Sequence, residues 1–444
     1  MEPDVKDVCG KAILTIGLVV NAFRMGGLER IVLTLVDVLS RIGARIVLLT
    51  AYSAENDFYQ VPGGVERICL GTWSNVEQAE RRRALMKEAI EKYKIDVIVF
   101  HSYFSRLLPE EIALVHSTGC KAVVHCHSAG TNFFARKEVN FDVKTQFAAF
   151  READALIAMS RVDEVFFRAL GIRARYIPNP VRDVPPGFCR RSHSGYSLIW
   201  IGRFDSFVKR PLDAVRILGI VRKRFPDATL TMLGDGPAEA EVRDFLKQNP
   251  SLRGAVQMSG SVKDVWQELA GADLLLFTSA MEGFPGVVAE AYAAGVPVVG
   301  YRLDSVELCN VENAYSAVEQ EDIESAAAAV VSFLENPDSL RCASQAAREA
   351  YVRFAAFDQG RAYRELFVDV LSGRDETREC KDVRLFTAAI NSFFVHACEG
   401  RRLYRNLLRE SRRPRRSVLS RVKTFLKRVL CPGSAPTRRK CDHA

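Results

Sequence analysis

Two glutamates, Glu282 and Glu290, stand eight positions apart in the stretch EGFPGVVAEAYAAGVPVV, with Gly283, Pro285 and Gly286 between them. Proline and glycine at these positions predict a turn in which Pro285 or Gly286 opens a helix. Glu282 then lies in the loop, whereas Glu290 lies about one turn inside the helix. The first N–H groups of a helix attract phosphate, and a carboxylate accepts hydrogen bonds from both hydroxyls of a ribose. The alternative is that both acids only complement the helix dipole, which is worth about 0.3–1 kcal/mol each.

A cationic loop, RFDSFVKRP, follows the apolar run SLIWIG. Arg203 comes directly after the run, Lys209 lies six residues further on, and Pro211 suits the first turn of a helix. Arginine engages two phosphate oxygens at once and lysine acts as a point charge, so the pair suits a diphosphate. Solvated surface charge is the alternative, and it accounts for Arg210 better than for Arg203.

Two turns rich in glycine also follow apolar runs. Gly26 and Gly27, in NAFRMGGLER, precede a helical pattern, and Gly234 opens the turn GDGP. Glycine lets the backbone approach a ligand closely, and a helix start favours an anion. A tight connection from strand to helix, without a ligand, is the alternative in both places.

These loops need a scaffold that brings strand ends together. Short apolar runs alternate with helical patterns over residues 12–160 and again over 196–302, and four prolines in YIPNPVRDVPPGF (176–188) separate the two series. Apolar strands that alternate with helices predict a parallel sheet covered on both faces. We therefore expect two doubly wound α/β domains around a cleft, with ligands outside the carboxyl ends of the strands.

The overall composition is that of a globular protein. The 444 residues are 48% hydrophobic and 26% charged, and no apolar run approaches the roughly 20 residues that span a bilayer. The apolar run near the N-terminus is interpreted as a first strand rather than a signal peptide, which predicts a cytoplasmic protein. Eleven scattered cysteines without a CxxC pair indicate reduced thiols and argue against zinc.

Positive charge is concentrated at the C-terminus. Residues 401–444 carry fifteen Lys or Arg and two acidic side chains, whereas the rest of the chain has 47 basic and 52 acidic ones. Within 415–430, one helical face is apolar and consists of Val418, Val422, Phe425, Leu426 and Val429. The pattern predicts a basic amphipathic helix that attaches 412–430 to an anionic membrane surface. A solvated tail is the alternative, and the absence of interleaved aromatic residues argues against nucleic acid.

Several blocks of the sequence together resemble a known family. GGLER, IPNPV, IGRF…VKRP…AV, MLGDGP and MSGSVKDVWQELAGADLLLFTSAMEGFPGVVAEAYAAGVPVV occur in the order typical of glycosyltransferase family 4 (group 1), retaining nucleotide-sugar enzymes of the GT-B fold. The resemblance covers residues 12–372, and the last block, with its Glu–seven residues–Glu signature, is the most specific. It implies an acceptor-side Rossmann-like domain (1–185), a donor-binding Rossmann-like domain (186–354) and a helix packing back towards the first domain (355–372). Residues 373–444 lie outside the resemblance and are expected to form a basic tail that is helical or disordered.

The resemblance also implies roles for single residues. Arg203 and Lys209 hold the donor diphosphate and stabilise it as the leaving group, Glu282 lies by the donor sugar, and His127 faces that sugar across the cleft. His125 is the alternative to His127, and a buried structural histidine is the alternative for either. The donor-binding residues implied are Gly26, Gly27, Gly234, Gly260, Ser261, Val262, Phe284, Pro285, Gly286 and Glu290, of which Glu290 binds the ribose and Gly260 to Val262 lie near the base.

The activity implied is transfer of a sugar, with retained anomeric configuration, from a nucleotide-diphosphate donor to a glycan or lipid-linked acceptor. Neither a metal nor a further cofactor is implied, and cell-surface polysaccharide or lipopolysaccharide synthesis on the inner face of the membrane is the expected setting. The sequence departs from the family at Asp304-Ser305, where Gly-Gly is common, and at Asn313-Ala314, where Asn-Gly is common. The alternatives are an epimerase or phosphorylase of the same fold, and a non-catalytic nucleotide-sugar binder or membrane scaffold.

Overall fold

The structure is a computed structural model that describes residues 13–24, 26–134, 142–191, 195–374, 382, 384–385 and 387–393. The predicted membrane helix within 412–430, and most of the predicted basic tail, lie outside the described residues. Among the helices that are described, none is both long enough and apolar enough to cross a membrane.

The N-terminal domain is built on a sheet of seven parallel strands in the order β3-β2-β1-β4-β5-β6-β7. The interior strand β1 is buried along its whole length, as expected for a strand covered by helices on both faces. Ile16 of β1 pairs with Ile46 on one side and with Val97 on the other. The strands are Thr15–Val20, Arg45–Thr50, Glu66–Cys69, Val97–Phe100, Lys121–His125, Ala155–Ala158 and Ala174–Tyr176.

In the described part of this domain, five α-helices connect the strands. Apolar residues at helical spacing bury one face of the first helix, and side-chain caps from Asn75 and Ser160 begin the second and the fifth. The helices are α1 (Gly27–Arg41), α2 (Val76–Tyr93), α3 (Leu108–Ser117), α4 (Val143–Glu152) and α5 (Arg161–Ala169), with short 3-10 turns at Ala54–Asn56 and Gly130–Phe134.

The C-terminal domain repeats the plan with six parallel strands in the order β10-β9-β8-β11-β12-β13. The strands are Ser197–Ile201, Thr229–Leu233, Val256–Gly260, Leu274–Phe277, Val298–Tyr301 and Tyr315–Val318. The helices are α6 (Pro211–Val221), α7 (Glu239–Gln248), α8 (Pro250–Arg253), α9 (Trp266–Leu269), α10 (Gly286–Ala293), α11 (Ile323–Glu335), α12 (Pro337–Ala355) and α13 (Gln359–Ser372), with a 3-10 turn at Glu307–Cys309. The two doubly wound domains predicted from the sequence are confirmed.

The last of these helices, α13, returns to the N-terminal domain. Its buried residues Tyr363, Leu366, Phe367 and Val370 pack into the apolar core formed by β1, β2 and α1. Arg175 of β7 adds an ion pair, with its Nη2 2.9 Å from an oxygen of Glu365. The chain therefore crosses between the domains twice, through the proline-rich connection after β7 and again before α13.

Strand order identifies where each domain can bind a ligand. In both sheets the order in which strands are added reverses beside the first strand. In one domain β2 and β3 lie on one side of β1 and β4 lies on the other, and in the second domain β9 and β10 lie on one side of β8 and β11 lies on the other. Loops that leave such neighbouring strands in opposite directions open a crevice at the carboxyl edge of the sheet. These crevices contain the glycine turn after β1, the cationic loop after β8 and the glutamate loop after β11.

Candidate functional site: the cleft between the two sheets

The loops after β8 and β11 meet through an ion pair between Lys209 and Glu282, in which the lysine Nζ donates to a carboxylate oxygen of the glutamate. Both side chains are largely buried. The Ala280 N–H donates to the Val208 carbonyl over 2.8 Å, and the Thr278 hydroxyl donates to the Lys209 carbonyl over 2.8 Å. The two predicted catalytic residues are therefore brought together by loops that are themselves joined by hydrogen bonds.

The two arginines of the cationic loop have environments opposite to those that the sequence predicts. Arg210 is only 7% exposed, and its guanidinium bonds Gln320 over 2.8 Å and Glu321 over 3.1 Å, so it is a buried structural cation and not solvated surface charge. The Arg203 side chain is 64% exposed and lies 3.1 Å from Asp205. Arg203 is thus largely exposed and paired with its near neighbour Asp205, and does not join Lys209 and Glu282.

The helix that follows the glutamate loop begins at Gly286, with Pro285 as its N-cap residue. Gly286 is exposed, and a Cβ built on it would touch nothing within 4 Å. There is therefore space beside the first residue of α10, as an anion site at a helix start requires. Phe284 packs against the apolar cores of both domains, which places this helix start at the junction between them.

Glu290 lies in the second turn of α10 and is 9% exposed. One of its oxygens accepts hydrogen bonds from two arginines, Arg182 at 2.8 Å and Arg30 at 3.3 Å. Arg182 belongs to the connection after β7 and Arg30 to the first turn of α1. The carboxylate expected to bind ribose is thus already shared by two cations from outside its own sheet, which the sequence analysis did not identify.

The glycine turn after β1 lies beside this group. Gly26 has extended backbone and Gly27 opens α1, so neither occupies a conformation that demands glycine. A Cβ on Gly27 would meet no atom within 4 Å, and one on Gly26 would meet only the flexible carboxylate of Glu29. The turn leaves room at the start of α1, which is consistent with an approaching ligand rather than with a packing requirement.

Histidines gather at the carboxyl ends of β4 and β5. The His101 Nδ1 lies 2.8 Å from the His127 Nε2, and the rings of His125 and His127 stack with centroids 4.0 Å apart. Burial lowers the pKa of His101 to about 3, and burial together with the neighbouring imidazoles holds the pKa values of His125 and His127 well below the usual range. All three are therefore neutral at physiological pH.

Of the two histidines that the sequence leaves open, His127 is the one whose backbone lies at the junction between the domains. His125 is 1% exposed and directs its Nδ1 towards the Tyr363 hydroxyl, whereas His127 is only partly buried and its carbonyl touches the glutamate loop at Gly283. His101, which pairs with His127, could not be identified as a site residue from the sequence. Its only distinguishing feature there is that it directly follows a strand.

The remaining predicted residues lie at the ends of β9 and β10. Gly234 has a positive φ of 126°, and a Cβ on it would lie 2.0 Å from the Gly202 carbonyl oxygen, so the fold itself requires glycine there. Its N–H donates to the Gly260 carbonyl over 2.8 Å, and the exposed Ser261 donates to Asp235 over 2.8 Å. Val262 packs partly into the apolar core. These residues form one wall of the cleft, in which Gly260 and Ser261 are accessible.

Comparison with known proteins agrees with this architecture. The model described as "Glycosyltransferase Family 4" matches residues 25–183 and that described as "Glycosyl transferases group 1" matches 195–336, together about two thirds of the chain. The chain is 29% identical over 229 residues to an exopolysaccharide phosphotransferase of Streptomyces coelicolor, which is 51% of this chain and 24% of that protein. It is 31% identical over 184 residues to a phosphatidyl-myo-inositol mannosyltransferase of Mycolicibacterium smegmatis, which is 39% of this chain and 46% of that one.

The chain thus spans less than half the length of either relative. Among solved structures, it resembles Anabaena Alr3699/HepE in complex with UDP and glucose with a TM-score of 0.64 and 15% identity, over 80% of this chain and 99% of that one. Identity this low compares folds alone, and the fold matches. With both halves matched by the family models and both sheets matched by the structure, the chain belongs to the glycosyltransferases of family 4 and has the GT-B fold.

Proposed function

We propose that this protein transfers a sugar from a nucleotide-diphosphate donor to a glycan or lipid-linked acceptor, with retention of anomeric configuration. The observation that carries the proposal is the pairing of Lys209 with Glu282 beside the open start of α10, with His127 on the facing domain. A cation, a helix start and a carboxylate at one point of a cleft suit the diphosphate and the sugar of such a donor.

The proposed reaction needs little covalent chemistry from the protein. The acceptor hydroxyl attacks the anomeric carbon on the face from which the diphosphate leaves, the bond from that carbon to the phosphate oxygen breaks, and a β-phosphate oxygen takes the hydroxyl proton. Lys209, Arg203 and the N–H groups at the start of α10 stabilise the charge that grows on the leaving diphosphate. His127, neutral because its ring is buried and its Nε2 is held by His101, contributes no charge at the sugar.

We propose that these cations replace a divalent metal in the reaction, and that the nucleotide sugar is needed without a further cofactor. Activity should then persist after dialysis against EDTA and should not rise when Mg²⁺ or Mn²⁺ is added. Loss of activity with EDTA, restored by Mg²⁺ or Mn²⁺, would show that metal independence is wrong while leaving sugar transfer in place.

The acceptor proposal rests on the relatives and on the charge of the chain. The two relatives described above are named for exopolysaccharide and for phosphatidyl-myo-inositol, a polysaccharide and a lipid. We propose that the protein works in cell-surface polysaccharide or lipopolysaccharide synthesis, in the cytoplasm and on the inner face of the membrane, with 412–430 as its attachment. Deletion of 412–444 should reduce co-sedimentation with vesicles that contain anionic lipid and should leave vesicles of neutral lipid unaffected.

The direct test starts from ligand binding. A panel of nucleotide sugars should contain one that raises the melting temperature, because a ligand that binds only the folded state stabilises it by mass action. That donor should be transferred or slowly hydrolysed, with retention visible in the proton NMR spectrum of the product, and Lys209→Ala should abolish turnover. Binding without turnover, with any acceptor offered, would instead indicate a nucleotide-sugar binder, and a product without a new glycosidic bond would indicate an epimerase.

A further inference from the structure

Three separate parts of the chain meet at the Glu290 carboxylate. Its Oε1 accepts from Arg182 Nη1 at 2.8 Å and from Arg30 Nη1 at 3.3 Å. Arg30 follows Gly27 by three residues on α1 of the N-terminal domain, Arg182 lies in the connection between the domains, and Glu290 belongs to the donor-side helix α10. The cluster therefore ties the two domains together directly behind the helix start that faces the cleft.

Two cations on one carboxylate oxygen leave positive charge uncompensated. The arginine side chains are 31% and 34% exposed, whereas that of Glu290 is 11% exposed. Taken together, the Lys209–Glu282 pair and the Glu290 cluster hold three cations against two carboxylates. The excess positive charge, added to the positive end of the α10 dipole, favours an anionic ligand between the two pairs.

The guanidinium groups retain unused hydrogen-bonding capacity. The Arg30 Nε is buried without a hydrogen-bond partner in the structure, although buried polar groups normally have one. Aromatic faces support both groups, since Arg30 lies 5.8 Å from the ring centre of Tyr59 and Arg182 lies 5.7 Å from that of Trp266. An arginine that lies over an aromatic ring and retains unused donors is well placed for bidentate binding of phosphate.

We infer that Arg30 and Arg182 bind the diphosphate of the donor, and that Glu290 holds their guanidinium groups at the cleft until the donor arrives. This inference rests on the proposed nucleotide-sugar function. When the donor enters, its ribose hydroxyls take the carboxylate oxygen and its phosphate oxygens take the guanidinium donors. Each charged group thus keeps a partner before and after binding, and neither arginine needs to leave the cleft, because both have long side chains and are partly exposed.

The alternative is a purely structural role, in which the two arginines only join the domains and bind no phosphate. We call this arrangement a latch. Ligands that differ in their number of phosphate groups distinguish the two roles. If the arginines bind phosphate, replacing them weakens the binding of inorganic pyrophosphate and nucleoside diphosphates and leaves the binding of nucleosides unchanged. A latch changes the stability of the domain arrangement and has no reason to distinguish these ligands by their phosphates.

The experiment is calorimetric titration of pyrophosphate, UDP, GDP, uridine and guanosine into the full chain and into Arg30→Gln and Arg182→Gln. Each substitution should weaken pyrophosphate and the preferred nucleoside diphosphate at least about tenfold, the effect of losing one charge-assisted hydrogen bond, with the nucleoside unchanged. Glu290→Gln should leave pyrophosphate binding unchanged or tighter and should weaken the nucleoside diphosphate. Circular dichroism confirms that each variant is folded.

Arg175→Gln is the matched control, because Arg175 is similarly exposed at 29% and also joins distant parts of the chain, with its Nη2 2.9 Å from Glu365, but lies on edge strand β7. Arg175→Gln should leave the affinity for all five ligands unchanged. Unchanged pyrophosphate affinity in both arginine variants, or equal losses for nucleosides and diphosphates, would overturn the inference in favour of a latch. Since pyrophosphate binding does not require sugar transfer, a chain that binds it through these arginines but transfers no sugar contradicts only the proposed function.

Discussion

Gly283 lies directly against the backbone of His127, so that a Cβ built on Gly283 would come within 2.8 Å of the His127 carbonyl oxygen and 3.0 Å of the Ser128 Cα. The two residues belong to different domains, one in the loop that carries Glu282 and the other at the carboxyl end of β5. This contact sets how closely the donor side of the cleft approaches the opposite wall. Under the proposed function, a glycine that holds two backbones at contact distance would control the geometry in which the sugar and its acceptor meet.

Gly283→Ala should therefore reduce transfer without unfolding the protein. Backbone atoms cannot move aside as a flexible side chain does, so the methyl group must push the two loops apart, and displacements of about 1 Å can cost as much as ~100-fold in rate. We expect kcat to fall at least about tenfold. Gly254→Ala is the matched control, since its φ of −80° suits alanine and its Cβ would meet nothing within 4 Å. Equal activity in the two variants would show that the contact at His127 does not limit the reaction.

The two glutamates should separate in kinetics. Glu282 is bound to Lys209 in the loop before α10, where the proposed function places the donor sugar, so Glu282→Ala should mainly lower kcat. Glu290 lies one turn further along α10 with the two arginines, so Glu290→Ala should mainly raise the dissociation constant of the nucleotide donor, which titration calorimetry measures directly. If both substitutions change kcat and donor affinity in the same proportion, the assignment of the two carboxylates to different parts of the donor is wrong.

The loops of the site could be predicted from the sequence because each follows an apolar strand. Turn residues mark where a strand ends, and parallel sheets place those ends at one edge, so Lys209, Glu282 and the start of α10 were predicted without any knowledge of packing. The short strands β7 and β13 were missed, because three or four residues beside prolines and polar turns carry too little periodicity.

Pairings between distant residues could not be predicted in this way. Arg30 and Glu290 are 260 positions apart, and Arg182 and Glu290 are 108 apart, so nothing local in the sequence relates their charges. The opposite environments of Arg203 and Arg210 have the same origin. Arg210 has a left-handed backbone at the start of α6, which turns its side chain inward to Gln320 and Glu321, partners from a later turn of the chain.

The buried histidine cluster should make the protein sensitive to acid. Burial lowers the pKa of His101 from 6.5 to about 3, so between these values the unfolded chain binds a proton that the folded chain excludes. Stability is therefore lost as the pH falls through this window, by about 1.4 kcal/mol per pH unit for one such group. His101→Gln removes this contribution, and its amide can still bond the His127 ring. Urea unfolding of both proteins at several pH values between about 5 and 7 should show a smaller acid loss in the variant, and parallel curves would contradict the prediction.

Asp163 should give the opposite dependence on pH. It is 2% exposed in the first turn of α5, where one oxygen accepts the Gly130 N–H over 2.7 Å and the other bonds the Ser160 hydroxyl over 2.7 Å. Burial raises the pKa of this carboxyl from 3.8 to about 7, so between these values the folded state holds a proton that the unfolded state releases. The stabilisation is fully present below about pH 4 and is lost as the pH rises towards 7, again by about 1.4 kcal/mol per unit.

Asp163→Asn tests this prediction because the amide keeps both bonds, with its oxygen accepting from Gly130 and its nitrogen donating to Ser160, and cannot ionise. The variant should match the wild type near pH 4 and exceed it increasingly as the pH approaches 7, in melting temperature or in urea midpoint. Because His101 and the rest of the chain are common to both proteins, the difference between the two curves isolates the one carboxyl. A difference that stays constant across this range would mean that Asp163 is ionised in the folded protein at neutral pH, stabilised by its two hydrogen bonds despite its burial.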